Sequence, residues 1–366
     1  MTRGRVDAQQ LFWLSLVSMV ATLVLTVPGE LVRWAGRAAW WTPLAAAVVL
    51  VPLAFAVGRA AGRHGDAVAL ARDRLGPVAG RLLLLAIWAA LALDAAMVTR
   101  EVADGAASVF VRAVVPLPLL IVTVVGPGVW LAWLGPVVMG RVATVVTVGF
   151  VVLFVLGFAV ATPALHVLWT RPILPVDGRF LSPPPLVLVG LWLIEPTLTV
   201  ALMMGQARAS ARARGGTVAA LATAAGAFLL TASIWLVIAD FGPVRAAELA
   251  QPLLHVMQEL PYTLYLEHLD SFVVPVEVLS ALVKVGVFLW LWARISVGVL
   301  DLPTVWLLPA LGLANGGLAM AIATNGLELD RLLYQATVYI VPAVLLLFAV
   351  AYVARGRRRG RVVRAT

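Results

Sequence analysis

Ten stretches of this chain are apolar enough, and long enough, to cross the roughly 30 Å hydrocarbon core of a bilayer, and little separates them. They fall at 9–34, 40–57, 82–111, 117–134, 141–161, 186–206, 217–239, 271–294, 302–324 and 332–354. The longest polar connections, 58–81 and 240–270, are too short to bury a core of their own. Charged residues make up 12% of the chain, against about 25% in soluble domains, which excludes a soluble helical enzyme. The first stretch is long, internally interrupted and lacks a small-residue cleavage site, so it is expected to stay as a span rather than leave as a signal peptide. The expectation is an all-α integral membrane protein, a single domain over 1–366 with ten transmembrane helices.

Arginine sets the orientation. Placing the N-terminus inside puts 18 of the 26 arginines on inner segments: Arg3, Arg5, the Arg59–Arg81 group, Arg141, Arg208, Arg212, Arg214, Arg294 and the 355–364 tail. Outer segments hold eight and collect acids instead, among them Asp177, Asp240, Glu248, Glu259, Glu267, Glu328 and Asp330. By the positive-inside rule both termini are expected in the cytoplasm, which requires an even number of spans. The net charge of +9 and the tail RGRRRGRVVR are read as a topology anchor touching anionic lipid, not as a nucleic-acid surface.

Two spans are interrupted near mid-depth at corresponding places. The first carries Thr22 and Thr26, then Pro28-Gly29 with Glu30; the sixth carries Glu195-Pro196-Thr197 at its centre. Proline removes a backbone donor and crowds the preceding turn. In hydrocarbon the freed groups are tolerable only where they line a cavity or bind something. Pro28 alone reads as a kink. A carboxylate beside freed backbone, as at Glu195-Pro196, needs a partner or a proton and reads as functional. Interruptions in spans one and six divide the helices into two halves of five, about 9–161 and 186–354, with 355–366 as a basic cytoplasmic tail. Inverted-repeat transporters share that plan, their substrate site lying between discontinuous helices at the midplane. No clear residue-level repeat relates the halves, so the division rests on element order.

The one lysine of the chain, Lys284, lies in the apolar eighth span. Lysine differs from arginine in being compact and in losing its proton readily when buried. An ionisable residue at membrane depth is a functional-site hypothesis by default. Glu277, Ser280 and Lys284 share a helix face, but Glu277 and Lys284 are about 10 Å apart along the axis. Lys284 must therefore find its partner on another helix, and Glu195 and Asp94 are the candidates. Arg100 and Glu101, further along span three, fit an interfacial anchor as readily as a functional role.

Other chemistry is excluded or left without support. The chain has no cysteine, which removes disulfides and thiolate metal sites, and its four histidines lack ligand spacing. No nucleotide-binding loop is present, so no cofactor and no ATP drive are expected. Trp40, Trp41, Trp130, Trp133, Trp169 and Trp306 near span ends read as an interfacial belt.

The stretch LEHLDSFVVPVEVLSALVKVGVFLWLWA resembles the helix-eight signature of the spore germination permeases, in which a Glu-Arg-Leu-(Asp/Glu) start precedes an apolar helix with a lysine at this offset. Here those positions are Glu267, His268, Leu269, Asp270 and Lys284. AQQLFWL at the start, LTVP and ELVRWAGRAAW through span one, LHVLWTRPILPVDGR before span six and QPLLHVMQEL before span eight agree in order, as does Glu195 in span six. The resemblance covers essentially the whole chain.

It implies a LeuT-like 5+5 inverted repeat with discontinuous helices 1 and 6, within the amino acid–polyamine–organocation superfamily. It also implies a B-type subunit of a GerA-type germinant receptor in the inner membrane of a spore. Such a subunit senses a small nutrient, typically an amino acid, together with an A-type membrane subunit and a C-type lipoprotein. On that resemblance the pocket lies between helices one and six, at Ala21, Thr22, Leu23, Trp192, Glu195, Pro196 and Thr197. Asp94, Met97, Val98 and Ser280 on helices three and eight close it. Freed N–H groups at both breaks would hold a nutrient carboxylate, with Glu195 or Asp94 holding its ammonium. Lys284, with Glu277 as a further coupling residue, would replace the sodium ion that related folds bind between helices one and eight. The alternative is a proton-coupled amino-acid transporter in which Lys284 and Glu195 exchange a proton.

The chain also departs from the family pattern. Ala21 and Leu23 stand where small glycines are usual, which narrows the pocket. Gly135-Pro136-Val137 lacks an acid expected before span five, and Glu277 replaces a frequent tryptophan.

Overall fold

The computed structural model describes residues 4–23, 27–65, 67–107, 115–171, 178–249, 251–259, 270–300 and 304–322. The helices in chain order are α1 (Ala8–Leu23), α2 (Val27–Ala35), α3 (Trp41–His64), α4 (Ala67–Ala106), α5 (Leu117–Leu134), α6 (Pro136–Ala161), α7 (Pro183–Met203), α8 (Ala209–Ala213), α9 (Gly215–Glu248), α10 (Pro252–Glu259), α11 (Asp270–Leu300) and α12 (Thr304–Ala321). Nine of the ten expected spans coincide with these helices, span one being α1 plus α2. The tenth, 332–354, and the basic tail lie outside the described residues. Among the described residues seven helices are long and apolar enough to cross a membrane. Two shorter apolar helical lengths, Ala8–Ala21 and Leu307–Ala321, belong to spans one and nine.

Local chemistry explains the helix boundaries. Asp7 and Gln10 close a reciprocal capping box on α1: Gln10 N–H donates to Asp7 Oδ1 at 2.8 Å, and Asp7 N–H to Gln10 Oε1 at 3.2 Å. Three Gly-Pro pairs act as junctions. Gly76, Gly135 and Gly242 all adopt positive φ (80°, 90° and 71°), and the following proline starts a new helical segment. Proline disfavours helical geometry in the residue before it, suits the first helical turn and needs no acceptor there. The Gly76 junction separates a short segment, 67–75, from the long apolar length 77–106. Residues 136–140, assigned to a connection by the sequence pattern, therefore belong to α6.

The two halves are related through their contacts. α1 packs on α7, α3 on α9, α4 on α11 and α5 on α12. Each is a pair of spans five places apart, the relation that a two-fold axis between five-helix halves gives to elements lying along it. The α3–α9 approach is close: a Cβ on Gly58 would clash with the Gly215 carbonyl oxygen and one on Gly216 would lie 2.7 Å from the Phe55 carbonyl oxygen, while Gly62 meets the Arg212 carbonyl of α8 as closely. Small residues let backbones approach in this way where apolar burial alone offers little drive for helix association.

Polar ties join other helices. Trp88 Nε1 donates to Ser296 Oγ (2.7 Å) between α4 and α11, and Asn315 Nδ2 donates to Thr99 Oγ1 (2.8 Å) between α12 and α4. Arg100 is buried, pairs with Asp104 at 2.9 Å and donates to the Ala319 carbonyl at 3.3 Å. It is thus a cap on the last turn of α12, not an interfacial anchor. Trp130 and Trp133 are exposed.

Candidate functional site

α11 carries Lys284 into the middle of the bundle, where its side chain is 0% exposed. Burial is imposed by position: α11 packs against α1, α4, α5, α6 and α7, so its central residues meet helices on all sides. A lone ammonium there is untenable unless paired and hydrogen-bonded. Its partner is Glu195 of α7, itself 2% exposed. Nζ donates to Oε1 at 3.0 Å and lies 2.9 Å from Oε2. The second oxygen pairs electrostatically without accepting a hydrogen bond, and so keeps acceptor capacity. Two ring faces complete the cation's surroundings, Trp192 with its centroid 4.6 Å from Nζ and Phe288 at 5.2 Å. Cation–π attraction of this kind is strengthened by desolvation.

Asp94 of α4 stands close enough to interact electrostatically with both members of the pair. Glu101, one and a half turns or more further along α4, interacts with Glu195 and with Glu277. Glu277 is buried, and its Oε1 has no hydrogen-bond partner. One lysine and four carboxylates from three helices thus share one electrostatic neighbourhood.

Of the residues singled out in the sequence, Trp192, Glu195, Lys284 and Asp94 are brought together. Ala21, Met97 and Val98 are buried on α1 and α4. The side chains of Thr22 and Leu23, where α1 ends, and residues 24–26 lie outside those described, as do Glu267, His268 and Leu269. Two hydroxyls are already engaged elsewhere: Ser280 Oγ donates to its own helix at the Val276 carbonyl (2.8 Å), and Thr197 Oγ1 lies 3.5 Å from Thr223 Oγ1.

One expectation needs correction. α7 is continuous from Pro183 to Met203, with Pro196 inside it, so the sixth span is not interrupted at Glu195-Pro196. Proline's fixed φ is compatible with a helix, though it removes one backbone bond and crowds the preceding turn. The group it frees is the carbonyl of Trp192, four residues earlier. That is an acceptor beside the Lys284–Glu195 pair and suits a cation. Within α7 the proline therefore frees an acceptor and no N–H. The described ion pair of Lys284 ties helix eight to helix six.

Phe288 and Glu101 were not reached as candidates. Phe288 lies four residues after Lys284 and shares its face, a signal present in the sequence but indistinguishable there from ordinary core.

The sequence matches the family model of the spore germination proteins (Spore_permease) over residues 5–322. Among solved structures, the chain is similar to the crystal structure of MhsT in complex with L-phenylalanine, with a TM-score of 0.68. That alignment covers 95% of this chain and 89% of that chain at 14% identity. At such identity the likeness speaks for the fold alone, which is LeuT-like. Comparison with curated proteins gives no match.

Proposed function

The chain belongs to the spore germination protein family, and from that premise we propose that this transporter-like, multi-pass membrane protein is the nutrient-binding subunit of a germinant receptor. The observation that carries the reading is the buried Lys284–Glu195 pair, which joins α7 and α11 beside the end of α1. The free acceptor capacity of Glu195 Oε2, together with the Trp192 carbonyl released by Pro196, suits the ammonium of an amino acid. The first turn of α2, which begins at Val27, would supply backbone donors for its carboxylate. An ammonium arriving at Glu195 competes with Lys284 for the same carboxylate. Binding therefore biases the α7–α11 contact, a two-state element that both ligand and partners can shift. The partners in this reading are an A-type membrane subunit and a C-type lipoprotein, in the inner membrane of the spore with both termini cytoplasmic.

A proton-coupled amino-acid transporter is the second reading, favoured by Asp94, Glu101 and Glu277, which add titratable groups beyond what a static lock requires. The deciding experiment is uptake of labelled amino acids into proteoliposomes holding the isolated chain, with and without a pH gradient. The receptor reading expects saturable binding without gradient-driven accumulation. Robust accumulation that collapses in Glu277→Gln would replace it with the transporter.

A further inference from the structure

A second polar feature lies at the end of the bundle that carries the N-terminal stretch, away from the ion pair. A cleft of about 370 Å³ opens between α3, α8 and the start of α9, lined by Phe55, Arg59, Arg63, Arg212, Gly216 and Thr217 among others. Arg59 and Arg63 are exposed one helical turn apart on α3. Among the described residues no carboxylate forms an ion pair with Arg59, Arg63 or Arg212. Arg212 donates through Nε to the Ala207 carbonyl at 3.2 Å, which fixes its guanidinium at the cleft. The floor is rigid, because the approach of Gly62 to the Arg212 carbonyl, and of Gly216 to Phe55, leaves no room for a side chain. The first turn of α9 adds the partial positive charge of a helix N-terminus.

We propose that this cleft binds the phosphate headgroup of an anionic phospholipid. Three unneutralised arginines define the charge of the ligand, and the planar guanidinium fork matches phosphate oxygens. The volume exceeds what a bare phosphate needs and falls at the lower end of the range for small-molecule sites, about 300–1,000 Å³. The apolar side identifies the source. Phe55 lines the cleft and is 41% exposed, and Leu221, one turn beyond Thr217 on α9, is 56% exposed, so the arginines give way directly to a surface suited to acyl chains. A soluble anion has no use for that surface.

The site also has a route to the ion pair. Ala207, whose carbonyl holds Arg212, follows the end of α7 and is bridged to Val6: Val6 N–H donates to the Gln206 carbonyl at 3.0 Å, and Arg208 N–H to the Val6 carbonyl at 2.9 Å. A headgroup on Arg212 therefore braces the N-terminal stretch against the helix that carries Glu195.

The test uses the full chain in neutral detergent, titrated with dioctanoyl phosphatidylglycerol, dioctanoyl phosphatidylcholine or inorganic phosphate, with thermal unfolding and native mass spectrometry as readouts. The phosphatidylglycerol is expected to bind and raise the unfolding temperature, while the other two leave it unchanged. Arg59→Ala/Arg63→Ala should weaken the apparent affinity about 30-fold, since each cation at an anionic headgroup contributes on the order of fivefold. The lipid-free unfolding temperature of the variant should stay at the parent value, and Arg214→Ala, a neighbouring arginine outside the cleft, should bind as the parent does. Arg212→Gln gives a second variant should the double one fold poorly. Equal protection by phosphatidylcholine, equal protection by inorganic phosphate, or undiminished phosphatidylglycerol binding in both cleft variants would each overturn the proposal.

Discussion

Lys284 and Glu195 form a buried ion pair between residues 89 apart in sequence, with Nζ 2.9 and 3.0 Å from the two carboxylate oxygens. The pair fastens α11 to α7. Its worth lies in the asymmetry of breaking it. Removing one member strands the other, at a cost of about 3–5 kcal/mol, whereas removing both together can be nearly neutral.

That asymmetry gives the first prediction. Lys284→Met and Glu195→Gln should each lower the thermal unfolding temperature in detergent, and the double variant should be more stable than Lys284→Met alone. All three should abolish the nutrient response of spores while the protein still inserts. Additive destabilisation in the double variant would show that the two side chains are not coupled. Lys284→Arg separates charge from shape. The larger guanidinium must fit between Trp192 and Phe288 and should cost about 1–3 kcal/mol by overpacking, with a weakened response. A fully normal response in that variant would mean that neither the compactness nor the proton of lysine matters.

Trp192 presents its ring face to Lys284 Nζ at 4.6 Å, while its own Nε1 has no hydrogen-bond partner. Trp192→Phe keeps a ring and deletes an unsatisfied donor; Trp192→Leu deletes the ring. The leucine variant should lose about 1–2 kcal/mol more than the phenylalanine variant, the amount that a desolvated cation–π contact supplies. Chemical denaturation of both, in the parent and in the Lys284→Met background, measures this. An unchanged difference in the lysine-free background would attribute it to ordinary volume loss.

Pro196 withholds an amide hydrogen from the Trp192 carbonyl. Pro196→Ala should restore that bond and stabilise the helix, by up to about 3 kcal/mol on the helix-interior scale. If the free carbonyl serves the ligand, the same change should reduce nutrient affinity. A rise in unfolding temperature together with a lost response is the expected signature. Higher stability with an unchanged response would mark Pro196 as structural only.

Gly58 meets the backbone of Gly215 so closely that a Cβ there would lie 2.4 Å from a carbonyl oxygen, whereas Gly149 has nothing within 4 Å of the equivalent position. Gly58→Ala must push α3 and α9 apart and should cost more than about 2 kcal/mol. Gly149→Ala, inside α6, should be neutral or gain up to about 1 kcal/mol. Unfolding temperatures of the two alanine variants decide it, and similar values would contradict the close approach of the two helices.

Much of the fold was legible because the bilayer enforces it. Spans must be apolar and about twenty residues long, so their places follow from the residues alone, and 117–134 coincides with α5 to the residue. The Gly-Pro junctions are equally local, since proline acts on the residue before it. Lys284, Glu195 and Asp94 stood out for the same reason: a charge in hydrocarbon has to be accounted for. The sequence alone therefore determined that Lys284 needed a partner on another helix. It could not choose between Glu195 and Asp94, because that depends on the rotation of α7 and α4 about their own axes. Those rotations are set by side chains and glycine contacts far apart in the chain. The continuity of α7 through Pro196 was likewise decided by tertiary surroundings, since proline weakens a helix but buried apolar flanks on α1, α3 and α9 hold it together. Phe288, the cleft at Arg59, Arg63 and Arg212, and the pairing of the first four spans with those five places on became visible only once the helices had packed.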